Sequence, residues 1–135
     1  MKKVIALFLV VSSIFLMVSC AKIDKDPIAL AKKLLDDDYW VEIAVNPNYF
    51  EGIEPLDVDT EDISCVILVE HEKKQEVLGV VIYCENNKAA KEALKNSDDF
   101  IDDLEDQGVD TDDYISKKSG KAVFIGHEDI FEDMK

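Results

Sequence analysis

The chain has no arginine, and its 30 acidic residues outnumber its 15 lysines two to one. A protein that grips a phosphate backbone neutralises it with cationic side chains, so this balance argues against nucleic-acid binding. Histidine is scarce as well, with only His71 and His127. His127-Glu128 begins like a zinc-protease motif, but the second histidine of H-E-x-x-H is missing. His71 stands among Glu70, Glu72 and Lys73, a surface setting. No C-x-x-C is present, which excludes a thioredoxin-type redox pair. G-x-S-x-G, the P-loop and the dinucleotide fingerprint are absent too. Carboxylates are so numerous that no one pair stands out as an acid and base with separated pKa values. The sequence implies no cofactor and no complete catalytic constellation.

What the chain does have begins at its N-terminus. Lys2 and Lys3 precede an apolar stretch over residues 4–17, broken only by Ser12 and Ser13, and Met17-Val18-Ser19-Cys20 closes it. A positive region, a short apolar core and a small residue before the end make a secretory signal peptide. A spanning helix needs about 20 apolar residues, and this run is shorter. The closing residues resemble the lipobox of bacterial lipoproteins, although Met17 stands where leucine is commonest. The resemblance implies that residues 1–19 are removed and that Cys20 carries the lipid (a diacylglyceryl group with palmitate-type chains). It also implies a location on the extracytoplasmic face of the cell membrane. It specifies an address and no chemistry.

Residues 20–135 make one domain's worth of chain, long enough to bury about two-thirds of its extended surface. Their 13 lysines against 30 acids give a net charge of −17. Such a charge repels anionic lipid head groups, so membrane contact is expected through the lipid alone, with the domain held off the surface. Residues 20–25 read as a tether and 26–135 as a single domain.

Asp26-Pro27 supplies a helix start, and Ile28, Ala31, Leu34 and Leu35 place one stripe on a helix ending near Asp37. Residues 39–45 alternate as a strand does. A long acidic loop over 46–62 follows, longer than most connections. Residues 63–70 and 77–85 are apolar strands of a hairpin. Asn86 caps a helix over 88–107, which Gly108 ends. A second hairpin over 114–125 turns at Ser119-Gly120, and residues 128–134 add a last helical turn or two. Without the weak strand at Tyr39 the order is α-β-β-α-β-β, a ferredoxin-like order with its first strand moved to the end. The expected fold is α+β, a two-layer sandwich of a mainly antiparallel sheet with two helices on one face. The stretch from Tyr114 to Gly126, strand-Ser-Gly-Lys-strand-Gly after a helix, resembles small exported proteins of Gram-positive bacteria. That resemblance implies no activity.

Cys65 and Cys84 lie on the first hairpin. A two-residue turn at Lys74-Gln75 would set them face to face, close enough for a candidate disulfide. A turn at Lys73-Lys74 would set Cys65 opposite Ile82 and leave two buried thiols, the favoured alternative. The loop acids Asp57, Asp59 and Asp62 do not fit an EF-hand, because glycine is missing at position 6 and glutamate at position 12. With Trp40, Tyr49 and Phe50 beside them, they form a candidate binding loop. The sequence thus predicts a lipid-anchored, non-enzymatic module for an unknown protein or small ligand. An acidic cation-binding envelope protein is the alternative, and an enzyme with an unreadable site comes third.

Overall fold

The structure, a computed structural model, describes residues 23–50, 52–73 and 76–134. The signal segment, the lipobox and Cys20 lie outside the described residues. Helix α1, Pro27–Asp36, starts where expected: the Asp26 carboxylate accepts from the Ile28 amide and proline takes the first position. Ala31 and Leu34 of the expected stripe are buried, but Leu30, expected at its edge, is the third buried residue, and Ile28 and Leu35 are exposed. Asp37 and Asp38, the latter with φ of 67°, reverse the chain into β1, Tyr39–Ala44. Single 3-10 turns at Pro47–Tyr49, Glu54–Leu56 and Thr60–Asp62 shape the long loop. β2, Ile63–His71, and β3, Val77–Cys84, form the first hairpin. Then come α2, Asn87–Lys95, and α3, Ser97–Asp106. β4, Tyr114–Ser119, β5, Ala122–His127, and α4, Glu128–Asp133, complete the order.

The five strands form one antiparallel sheet in the order β1-β2-β3-β5-β4. The α+β class and the antiparallel sheet are those expected. β5 lies between β3 and β4, the neighbour relation on which the permuted ferredoxin-like order rests. The helices cover both faces, however. On one face Ala90 and Ala93 of α2 and Phe100 of α3 pack with Val66, Ile82 and Val123. On the other, Leu30 and Leu34 of α1 and Ile130 of α4 pack with Ile67, Val81 and Phe124. The sandwich therefore has a helical layer on each side of the sheet. The cause is in β2 and β3, whose successive residues feed the two cores alternately, and a strand apolar on both faces needs cover on both.

Two further differences position the candidate sites. The helix expected over 88–107 is broken at Asn96, whose amide Nδ2 donates to the Leu56 carbonyl at 2.9 Å. Ser97, buried, donates its hydroxyl to the Leu94 carbonyl at 2.7 Å. Side chains that bond to nearby backbone compete with helix continuation, and here they turn α3 over the loop. The expected tether over 20–25 is shorter on the domain side. Ile23 is only 3% exposed, its amide donates to Ser119 Oγ at 3.1 Å, and the Tyr83 hydroxyl donates to the Asp24 carbonyl at 2.7 Å. The packed domain already includes Ile23.

Candidate functional site

Among the described residues β1 is an edge strand: β2 pairs with one side of it and no described strand with the other. Edge strands are commonly guarded by charge, proline or a bulge, since an open row of amides and carbonyls invites pairing. β1 is poorly guarded, with Glu42 its only charged residue. Trp40 is 52% exposed and Ile43 43%, and Val45, just beyond the strand, is 70% exposed. Ile28 and Leu35 of the adjoining α1 are exposed as well. The large exposed apolar side chains of the described residues thus gather on α1, β1 and its end.

A groove of about 800 Å³ opens beside this edge on the α2–α3 face. Ala44 of β1, Val66 and Leu68 of β2 and Val80 of β3 make its floor. Phe100 and Leu104 of α3 form one wall, and Phe50 and Ile53 of the loop form the other. The break at Asn96, whose side chain bonds to the Leu56 carbonyl, starts the helix that forms the α3 wall. Polar groups are few: Glu42, Asn46 and Gln107 lie among the lining residues. An apolar concavity with a few polar groups is the usual form of a ligand site, and such pockets run to roughly 300–1,000 Å³. Ile43 and Val45 also border the groove, so the open edge and the cavity are one continuous surface.

The residues predicted from sequence divide around this groove. Trp40 stands on the same face of β1 as Glu42, two residues away, and exposed. Phe50 is a correction: it is 5% exposed and belongs to the core, where it forms groove wall and not a protruding anchor. Tyr49 ends the Pro47–Tyr49 turn. Asp57 takes a left-handed conformation at φ of 51°, exposed, and Asp59 is exposed too. Asp62 is engaged locally, its carboxylate accepting from Asn86 Nδ2 at 3.1 Å and its carbonyl from the Glu85 amide at 2.7 Å. The three acids therefore do not converge. Among the described residues no group of three or more His, Cys, Asp or Glu is placed to hold a metal ion.

The cysteines are the two buried thiols of the favoured alternative, in a register that neither of the two turns predicts. A register shift between Ile63 and Cys65 sets Cys65 opposite Tyr83 and Cys84 opposite Ile63. The two thiols then belong to different cores on opposite faces, both are free, and no bridge joins them. Burial raises the pKa of Cys65, and burial, with Asp62 adding and Lys118 opposing, pushes Cys84 up to about 11. Both thiols pack within their cores, and burial disfavours the thiolate form. The histidines serve their own turns: His71 Nδ1 accepts from the Lys73 amide at 3.2 Å and His127 Nδ1 from the Asp129 amide at 3.3 Å.

Sequence reasoning missed Glu42, Leu68, Leu104 and Gln107 as groove residues. A signal for the edge was present, since Trp40, Ile43 and Val45 put apolar side chains on both faces of a short strand. Comparison with family models, curated proteins and solved structures finds no match.

Proposed function

We propose that the protein is a lipid-anchored module that captures an extended peptide segment on the extracytoplasmic face of the cell membrane. The segment would add to β1 as a sixth strand, its alternate side chains entering the groove. The observation that carries this reading is the continuity of an open, apolar edge strand with an apolar groove. Main-chain bonds along an open edge supply affinity, and pockets for every second side chain supply selectivity. The net charge of −17 and Glu42 at the groove favour a segment that mixes apolar with cationic residues. The signal-like residues 1–19 and the lipobox-like Cys20 support the location.

Trp40 is the only tryptophan of the chain and stands at the proposed site, so its fluorescence reports occupancy directly. Titration with a short capped peptide of alternating valine and lysine is expected to shift Trp40 emission saturably. Leu68→Lys, which places a charge on the groove floor, is expected to abolish the shift while the chain stays folded by circular dichroism. Unchanged emission up to millimolar peptide contradicts the proposal.

A further inference from the structure

The docked N-terminal segment bears on how the domain meets the membrane. Ile23 is packed into the α1–α4 core, bonded to Ser119 at the β4–β5 turn, and Asp24 is held by Tyr83. Cys20 precedes Ile23 by three residues, a reach of at most about 11 Å at ~3.3–3.6 Å per residue. That distance is close to the Debye length of about 8 Å at physiological salt. A lipid on Cys20 cannot hold the domain far off.

The surface at that point has its own charge. Residues 114–126 carry Lys117, Lys118 and Lys121 and no acid, in a chain of 30 acids. This is the β4–β5 hairpin, and its turn is where the N-terminal segment docks. Lys25, Lys121 and one acid, Asp24, line a cavity of about 650 Å³ there, with Ser64 and Ser119 as hydroxyl neighbours. The acids closest in sequence are engaged at home: Asp24 Oδ1 accepts from the Asp26 amide at 2.9 Å, and Asp26 Oδ1 from the Ile28 amide at 3.0 Å. Cys84 lines the same cavity and its amide donates to the Lys121 carbonyl at 2.8 Å, so Glu85, and Asp62 bonded to its amide, stand beside the hairpin turn as its acidic border. A hairpin with three lysines and no acid of its own thus sits where Ile23 and Asp24 dock, on an otherwise negative domain.

We infer that the β4–β5 turn, with Lys25, is a membrane-facing base whose lysines contact phospholipid phosphates. The sheet then stands with its strands leading away from the bilayer. This rests on Cys20 as the lipid anchor, and it reverses the expectation of a domain held off the surface by its charge. β3 spans eight residues, about 26 Å at ~3.3 Å each. Lys73, at the opposite end of the first hairpin, therefore lies well outside the reach of the head groups.

The test is amine labelling of the full chain in bacterial membranes, followed by peptide mass spectrometry, against the same membranes dissolved in non-ionic detergent. Lys25, Lys118 and Lys121 are expected to acetylate several-fold more slowly in membranes, and Lys73 at the same rate in both. A Lys118→Glu/Lys121→Glu variant is expected to remain in the membrane and lose the protection at Lys25. Equal rates at all four lysines of a membrane-bound chain overturn the orientation while the anchor stands. Protection of Lys25 that survives in the variant overturns the phosphate contact. Recovery of the chain in the soluble fraction overturns the anchor, and the inference with it.

Discussion

Three tyrosine hydroxyls tie together parts of the chain that no ladder joins. Tyr39 donates to Asp133 at 2.6 Å, Tyr83 to the Asp24 carbonyl at 2.7 Å, and Tyr114 to the Val77 carbonyl at 2.8 Å. All three must be neutral to donate, and burial is the main cause that raises each pKa. Tyr114, pushed from 10.0 up to about 12, is the clearest case. Its raised value means the fold favours the protonated phenol. Its contribution is therefore complete below pH 10 and is lost as pH climbs through about 12. Tyr114→Phe is expected to cost about 1 kcal/mol at neutral pH, read from urea midpoints. The gap between wild type and variant should shrink across that alkaline window. A gap that ignores pH would show that the Tyr114 phenol titrates alike in the folded and unfolded chain. At this scale the sequence was informative about the histidines and the thiols, but not about Phe50 or Asp62. Nothing in an aromatic's neighbours along the chain says whether it points inward. Nor does a loop carboxylate reveal an asparagine 24 residues away that will bond to it.

Among the elements, β3 and β5 depend on a pair of glycines. Gly79 faces Gly126 across the ladder with the Phe124 ring beside them. A Cβ on Gly126 would stand 2.5 Å from Gly79 Cα and 2.6 Å from the Leu78 carbonyl oxygen, both backbone atoms. Backbone in a central ladder yields poorly, and overpacking costs about 1–3 kcal/mol. Gly126→Ala is expected to fall at the top of that range by urea denaturation, and a neutral result would mean the strands part more easily than their spacing implies. The sequence placed Gly126 at the end of a strand, whereas it lies within β5. The C-terminal end of α3 was more legible. Gly108, at φ of 89°, closes it, with its own amide bonded to Glu105 and that of Val109 to Leu104. That is the paired bonding of a Schellman cap. The break at Asn96 was not legible, because its cause is a carbonyl 40 residues away.

Over the whole molecule, the misplaced helix layer has the most instructive cause. β2 and β3 read as near-continuous apolar runs, the pattern of strands buried on both faces. Two helices on one side could not have covered them. α1 takes the second face because only Asp37 and Asp38 separate it from β1, so it folds back beside its own strand. With α1 and α4 on one face and α2 and α3 on the other, the β1 end of the α2–α3 face is left uncovered, and there the groove opens. The open edge is thus a consequence of how the chain closes its two cores, and its apolar residues are what suit it to the proposed strand addition. Backbone amide exchange followed by nuclear magnetic resonance, with and without the alternating valine–lysine peptide, tests this most directly. Added peptide is predicted to slow exchange at those β1 amides that face away from β2 and to leave the β4 edge unchanged. Equal exchange along β1 in the presence and absence of peptide would contradict strand addition at this edge.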